Sequence, residues 1–450
     1  MSFSNARCLA ISMLFAGIFF VSPIPHTAAL RNAFLLALIV LLVVLWKTPR
    51  IAPSASRNPE ILALGALTLW MFVQTALWAV DRPASFDDYF REWIGGGVLA
   101  AIVGYGIARG LSMTGDARCA GRLPAWIALT LFAHAAWTLA FQLSQWVQTG
   151  RYSLGSTPFA EYATLSGVIN MAFALLAADA ATRWMGDGKL LPWSDRISRT
   201  LLFITAVAVV AVMARNGVIT VFVVLTLLAL LLAWRERARW QVRRGTLAAL
   251  LALVVAASLF AINFRSDPRW ASFVETVPIA LDTETHKSWM DDTRYPRPLL
   301  KSGEMVDHSA YMRIAWAKVA MEGIQSRPMG FGYGVEAFGR YLKTEYGLTA
   351  VSSHSGILDF TLANGIPGLV LFLAFCFLLF RRGWRAWTAG NPWGLALMLT
   401  LTNHFVRILL DGHFGSFRLK MVALLLGILY WLTIDERHPQ TLPAGRRQAD

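Results

Sequence analysis

GVITVFVVLTLLALLLAW, residues 217–234, is an apolar stretch without a single charged residue. A helix of about 20 such residues spans the hydrocarbon core of a bilayer. Eleven further apolar runs of spanning length follow one another along the 450 residues, at 8–24, 28–46, 60–78, 93–109, 124–147, 159–178, 200–214, 246–264, 365–380, 393–410 and 419–434. The sequence therefore predicts an all-α polytopic membrane protein with about 12 transmembrane helices.

The composition supports this prediction. Only 15% of the residues are charged, against roughly 25% in soluble proteins. This excludes a cytosolic enzyme, a secreted disulfide scaffold and a disordered protein. Residues 1–29 resemble a signal peptide, but more membrane helix follows them, which favours a first span. The cysteines are not spaced as metal ligands, and we expect no disulfide among Cys8, Cys119 and Cys376.

The excess of 41 Lys and Arg over 27 Asp and Glu is unevenly distributed along the chain. Every second loop is basic, and by the positive-inside rule these loops and both termini face the cytoplasm. The basic residues are Lys47, Arg50, Arg57; Arg109, Arg118, Arg122; Arg183, Lys189, Arg196, Arg199; Arg235, Arg237, Arg239, Arg243, Arg244; and Arg381, Arg382, Arg385. The charge thus indicates orientation and contact with a lipid bilayer, and no nucleic-acid partner.

One long loop, 265–354, lies on the opposite face, which is the periplasm in a bacterial cell. Its 11 basic residues balance its 11 acidic residues. Ser309–Gln325 and Val335–Tyr346 have helical apolar periodicity, so we expect a small helical cap on the outer surface. The chain then divides into transmembrane helices 1–9 (1–264), the periplasmic loop with active-site residues (265–354), and transmembrane helices 10–12 with a short cytoplasmic tail (355–450).

Soluble catalytic signatures such as a P-loop, GxSxG or HExxH do not occur in the sequence. Ionisable residues at the outer ends of membrane helices are therefore the candidates, because burying them is costly unless they are used or paired. Arg215 interrupts an apolar stretch and could simply be a snorkelling loop arginine. His354 lies where the long loop re-enters the membrane. Its neutral imidazole can accept a proton from a sugar hydroxyl, although a hydrogen-bonded surface histidine is the alternative.

The segment after His354 carries a resemblance. His354-Ser355 is followed by Leu358 and then by Asn-Gly-Ile-Pro-Gly-Leu at 364–369 and an apolar helix. This is similar to the signature of the O-antigen ligase and polymerase superfamily. The family usually has Asn after the histidine, where this chain has Ser355.

Three more stretches resemble the same family, in the same order along about 150–370. Ala214-Arg215-Asn216-Gly217 resembles its Ser-Arg-x-Gly turn, with Ala214 in place of serine. Gly150–Ala163 resembles the family stretch in which an arginine, a glycine and then an alanine lead into a helix. Arg313 with Trp316, followed by Arg-Pro-Met-Gly-Phe-Gly at 327–332, resembles its Arg…Trp…Pro-x-x-Gly-x-Gly stretch.

The resemblance implies a GT-C-like glycosyltransferase without cofactor or metal. Such an enzyme transfers a glycan from undecaprenyl pyrophosphate to an acceptor at the periplasmic face of the inner membrane. His354 would be the general base of a direct, inverting displacement. Arginines hold phosphates bidentately and stay charged, so Arg215 and Arg313 are expected to hold the leaving pyrophosphate, with Arg151 third and Arg91 fourth.

Two of these candidates have a plain structural alternative. Arg91 could serve merely as the ion-pair partner of Glu92, without a role in the reaction. Asp411 would support the site by orienting His354 or by pairing with an arginine, and a simple pair with Arg407 is equally compatible with the sequence.

Four functions remain open. An O-antigen ligase joins the glycan to lipid A–core, an O-antigen polymerase extends it, and a protein O-oligosaccharyltransferase modifies Ser or Thr. Polymerases often have two large arginine-rich loops, and protein-modifying members often have a C-terminal periplasmic domain. One large loop and the short tail Asp435–Asp450 favour the ligase. A transporter is the fourth, and the lack of an inverted repeat weighs against it.

Overall fold

The computed structural model describes residues 3–46, 58–113, 117–150, 156–237, 242–266, 272–334, 336–349, 352–412 and 416–435. These ranges contain 16 α-helices and, apart from two isolated β-bridges, no β-structure. The helices are α1 (Phe3–Val21), α2 (Ala28–Trp46), α3 (Pro59–Trp78), α4 (Arg82–Asp88), α5 (Leu99–Met113), α6 (Ala117–Thr149), α7 (Tyr162–Trp184), α8 (Asp195–Ala211), α9 (Arg215–Arg237), α10 (Val242–Ser266), α11 (Phe273–Leu281), α12 (His308–Ser326), α13 (Ala337–Tyr346), α14 (Gly356–Thr388), α15 (Trp393–Leu410) and α16 (Ser416–Ile434).

The predicted class is confirmed. Nine helical stretches in the described ranges are long and apolar enough to cross a membrane. A π-helical segment, Tyr89–Val98, joins α4 and α5 into one of them. The other three predicted runs are also helical but shorter as apolar segments. They are α1, α8 with 17 residues, and α10 with the run Leu253–Ile262. The protein is a polytopic helical membrane protein.

Helix α7 lies at the centre of the bundle. Of the residues in its apolar membrane-spanning segment, 78% are buried inside the protein. It packs against α6, α8 and α15. For α2 the corresponding value is only 22%, as expected for a helix whose apolar side chains face lipid. The central helices therefore form the framework, and their ends position the loops.

The long loop folds into a helical cap, which we define as residues 272–334 and 336–349. The predicted helices are confirmed as α12 and α13, within two residues at each end. Helix α12 begins at Asp307, whose carboxylate accepts from Ala310 N–H at 2.9 Å. Helix α13 ends at Gly347, which has the left-handed φ of 67° that a C-terminal cap requires.

The cap has its own hydrophobic core. Its largest fully buried side chains are Tyr311, Phe331 and Phe338, and the same cluster includes Leu362 and Ala363 from the first turns of α14. Because one cluster contains both cap and membrane-helix residues, the cap is fixed to α14 by apolar packing.

Helix α14 is broken at Gly365, where φ is 71° and ψ is 178°. The break leaves backbone groups that the cap satisfies. Phe331 N–H donates to the Leu362 carbonyl at 2.7 Å, and Gly332 N–H donates to the Ala363 carbonyl at 3.0 Å. A non-helical backbone inside a membrane protein needs such partners. The Gly-Phe-Gly stretch of the cap and the Asn-Gly-Ile-Pro-Gly stretch of α14 are thus two halves of one contact.

The expectation of no disulfide is wrong. Cys8 of α1 and Cys119 of α6 are joined, with their Cα atoms 5.7 Å apart. The two residues are 111 positions apart in sequence. Their proximity depends on the packing of α1 against α6, which cysteine spacing does not reveal.

Candidate functional site

A cavity of about 510 Å³ lies between the cap and the ends of the membrane helices. It brings together three of the predicted site residues: Arg215 at the start of α9, Arg313 on α12 and His354 just before α14. These residues are far apart in sequence. The remaining lining is largely apolar and includes Phe273, Leu281, Ile314, Met321 and Leu358.

Arg215 lies at the start of α9, and its position is fixed by the close packing of α9 against α7. A side chain at Gly217 would meet the Ser166 hydroxyl of α7, so any larger residue would require Ser166 to move. The Gly217 carbonyl in turn accepts from the Asn170 amide at 3.0 Å. This packing explains the Arg-x-Gly pattern, because the glycine lets α9 start close against α7 and the arginine then faces the cavity.

Asp307 positions Arg215, and the sequence analysis missed it. Arg215 Nη2 lies 3.4 Å from Asp307 Oδ2, and both side chains are mostly buried. The other carboxylate oxygen caps α12. Asp307 therefore couples the start of α12 to the arginine on α9. An aspartate followed three residues later by a helical face is a readable cap signal, but its partner is not readable.

Arg313 is held from the membrane side. Its Nη1 donates to the Leu410 carbonyl at 3.1 Å. Leu410 is the last residue of α15, where helix carbonyls lack intrahelical partners and carry partial negative charge. The guanidinium thus uses one N–H for anchoring, and Arg313 also lines the cavity.

His354 has an unusual backbone conformation, with φ at 61°. Left-handed conformations cost a non-glycine residue on the order of 1–3 kcal/mol. Its ring stacks on Trp316 of α12, with the centroids 5.3 Å apart and the planes at 11°. Trp316 is itself fixed, because its Nε1 donates to the Trp289 carbonyl at 3.1 Å. The imidazole is therefore held in one orientation.

Asp359 anchors the turn that presents His354. Its carboxylate accepts from Ser352 Oγ at 2.8 Å and from Ser353 N–H at 3.0 Å. Ser352 Oγ in turn accepts from His354 N–H at 3.0 Å. This role is not readable from the sequence, because Asp359 is five positions from the histidine and reaches it through the serines.

Backbone strain is concentrated at this cavity. Among the described residues, three other than glycine have a positive φ, and two of them, Met213 and His354, line the cavity. Strained residues cluster where a function needs a fixed geometry, so this clustering marks a functional-site candidate.

Asp411 forms ion pairs away from this cavity. Its carboxylate lies 2.8 Å from Arg407 Nη2 and 3.2 Å from Arg418 Nη1. Its backbone carbonyl accepts from Gly356 N–H at 3.0 Å. Asp411 thus ties α15, α16 and the first turn of α14 together directly behind the His354 turn.

Of the other two predicted arginines, Arg91 lies apart from this group. Arg91 is not among the cavity-lining residues. It forms ion pairs with Asp87 at 3.2 Å, Asp88 at 2.7 Å and Glu92 at 3.3 Å, and 60% of its side chain is exposed. Arg151 lies outside the described residues.

A buried charge pair supports the cap nearby. Arg340 of α13 lies 3.8 Å from Asp88 and donates to the Tyr333 carbonyl at 2.8 Å. Burial disfavours the charged form of both side chains. It therefore lowers the pKa of Arg340 and raises the pKa of Tyr333. This cluster fixes the cap to the stretch that contains α4 and carries Arg91.

The fold and cavity define a class: a multi-pass helical membrane protein whose cap encloses two guanidinium groups and an imidazole. The model of a known family, described as O-antigen ligase, matches residues 200–373. The resemblance to the O-antigen ligase family is thus confirmed for residues 200–373. This family comprises glycosyltransferase-like enzymes that act on lipid-linked sugars. No curated protein matches the chain. Arg215, Arg313 and His354 all lie inside the matched range.

Proposed function

We propose that the protein is an O-antigen ligase, which transfers the O-antigen polysaccharide from undecaprenyl pyrophosphate to a sugar hydroxyl of lipid A–core. The observation that carries this proposal is the cavity shared by Arg215, Arg313 and His354. It supplies two phosphate-binding groups and one proton acceptor beside an apolar wall suited to a lipid-linked donor.

The reaction is a single displacement. His354 takes the proton of the acceptor hydroxyl as its oxygen attacks the anomeric carbon. The bond from that carbon to the pyrophosphate oxygen breaks, and the configuration at the carbon inverts. Negative charge grows on the leaving pyrophosphate, where Arg215 and Arg313 stabilise it through charge-assisted hydrogen bonds.

The surrounding residues serve this step by fixing geometry. Asp307 and the Leu410 carbonyl limit the rotation of the two arginines, and Trp316 limits that of the imidazole. Fixed donors need little reorganisation when charge develops. Arg151 and Arg91 remain proposed pyrophosphate contacts. Before Arg91 could bind the pyrophosphate, its ion pairs with Asp87, Asp88 and Glu92 would have to break.

We further propose that the protein lies in the inner membrane of a bacterium with this cavity facing the periplasm. Arg183 and Arg385, from two of the predicted basic loops, lie in the last turns of α7 and α14, whose first turns are at this cavity. The positive-inside rule assigns such basic ends to the cytoplasm. The division into 1–264, 265–354 and 355–450 follows from the same topology.

The function is tested by deleting the gene in a strain with a complete O-chain. A ligase predicts that lipid-linked O-polymer accumulates while lipopolysaccharide loses its O-chain. Lipopolysaccharide with a single O-unit would instead indicate a polymerase, and normal lipopolysaccharide would contradict both. Complementation with His354→Ala should fail, whereas His308→Ala, a cap histidine that does not line the cavity, should restore the O-chain.

A further inference from the structure

A second cavity, of about 770 Å³, lies at the other end of α14. It is built from the start of α6, the 187–192 segment and the ends of α14 and α16. His354 precedes α14 and Arg385 lies in its last turn, so the two cavities lie at opposite ends of this helix. Nothing in the transfer reaction uses this second cavity.

The second cavity is lined by five basic side chains and two acidic ones. The basic residues are Arg118, Arg122, Lys189, Arg382 and Arg385. One of the acidic residues, Asp187, is already paired with Arg235, which is outside the cavity lining. Lys189 lies 3.5 Å from Asp195. The cavity therefore has a surplus of positive charge.

The four arginines are the unusual part of this lining. No carboxylate in the described part of the chain lies within ion-pair distance of any of them. Arg382 Nε is in addition buried, and the described residues offer it no acceptor. A buried donor without an acceptor is costly, so the site is suited to a ligand that brings one.

The positive-inside rule accounts for basic residues near these helix ends, but it does not require them to converge on one cavity. Arg196, Arg199 and Arg381 belong to the same predicted cytoplasmic loops and do not line it. The arginines that do line it come from two helices distant in sequence, α6 and α14, and they share the lining with apolar residues such as Pro192 and Trp393. Guanidinium groups above an apolar wall match a phosphate attached to a lipid.

We propose that this cavity binds the phosphate headgroup of an anionic phospholipid from the adjacent leaflet. The arginines hold the phosphate, with Arg382 Nε as one donor, and the apolar wall with the Trp393 ring contacts the start of the acyl chains. A soluble phosphate ester presents the same anion without the chains, and the experiment separates the two sources.

The test uses the purified full-length protein in detergent, with lipid binding followed by native mass spectrometry. Phosphatidylglycerol is titrated against phosphatidylcholine. The variant R118Q/R122Q/R385Q removes three cavity arginines. R196Q/R199Q/R381Q is the control, since it removes three positive charges from the same predicted face but none from the cavity lining.

The wild-type protein and the control should prefer phosphatidylglycerol, and the cavity variant should bind it about 100-fold more weakly, since each arginine near an anionic headgroup contributes roughly fivefold. Equal weakening in both triple variants, or no preference in the wild type, would overturn the proposal. Competition by glycerol 3-phosphate at concentrations comparable to the lipid would also overturn it, because the chains would then contribute nothing. Arg382→Gln alone should weaken binding by at least fivefold, and unchanged binding would remove its assigned role.

Discussion

The two ends of α14 hold arginines in very different ways. At the His354 end, Arg215 and Arg313 are each held by an acceptor of the protein, a carboxylate and a helix-terminal carbonyl. The backbone is strained at two positions. At the other end, Arg118 and Arg385 extend from regular helices, and the described residues offer them no acidic partner.

This difference separates two uses of the same side chain. Chemistry on a pyrophosphate needs donors aimed at a defined point, because stabilisation of the transition state depends on fixed geometry. Holding a headgroup needs only a local excess of positive charge. The His354 end of α14, called the first end below, should therefore be sensitive to small changes of geometry. The Arg385 end, called the second end, should be sensitive to charge alone.

The largest effect is expected from His354→Ala. Removal of a general base should lower the rate of glycan transfer by about 10²- to 10⁴-fold without unfolding the protein. The measurement is transfer by purified protein from a lipid-linked donor, with the melting temperature as a check on folding. Full activity of the variant would refute the base role, and His308→Ala provides the histidine control.

Arg215→Lys tests whether geometry matters at the first end. Lysine keeps the charge but loses the planar donor set and its fixed relation to Asp307. Transfer should fall by about 10²-fold, as when one oriented donor to a developing anion is removed. Arg196→Lys, on the exposed surface of α8, should have no effect on transfer. A variant of Arg215 with near-normal activity would mean that charge alone suffices there.

Gly365→Ala tests the contact between the cap and α14. A side chain at this position would meet the backbone of Pro328 and Met329, and its φ of 71° is unfavourable for alanine. The free energy of unfolding should fall by about 1–3 kcal/mol, seen as a lower melting temperature. Gly65→Ala is the control, because a Cβ there meets nothing within 4 Å. Its helical position should make alanine slightly stabilising.

Asp307→Asn should have a smaller effect, because asparagine still caps α12 but no longer carries a charge for Arg215. Transfer should fall by about tenfold in kcat, with folding unchanged, as expected for the loss of one charge-assisted hydrogen bond. Asp307→Ala also removes the cap, so it should lower the melting temperature too. Equal kinetic and stability effects in both variants would argue that Asp307 serves only as a cap.

The smallest effect is expected from Arg385→Lys at the second end. Since charge and not orientation is needed there, phosphatidylglycerol binding should change by less than about threefold, well below the loss for Arg385→Gln. A lysine variant as weak as the glutamine variant would show that this cavity, too, depends on guanidinium geometry, and the contrast between the two ends would disappear.

Hydropathy predicted the membrane helices well because a spanning helix needs a long apolar run and little else. The cap helices were also predictable, from the local periodicity of their apolar residues. The start of α14 was not. Its apolar run was read from 365, yet the helix begins at Gly356, since the buried Asp359, Thr361 and Asn364 in its first turns lower the local hydropathy.

Residue type and motif were enough to select Arg215, Arg313 and His354, but they also selected Arg91, which the structure places among three carboxylates. Only the packing of helices distant in sequence determines which guanidinium groups line a common cavity, and no local pattern encodes that distance.

The sequence by itself determined that this is a multi-pass helical membrane protein and that residues 200–373 resemble the O-antigen ligase family, because apolar length and short motifs are local properties. The tertiary structure decided the rest. It placed Asp307 on Arg215, Trp316 under His354, and the serine turn on Asp359. It also joined Cys8 to Cys119 and gathered the arginines of α6 and α14 around one cavity. These contacts depend on which helix faces meet, and that follows from packing of the whole bundle.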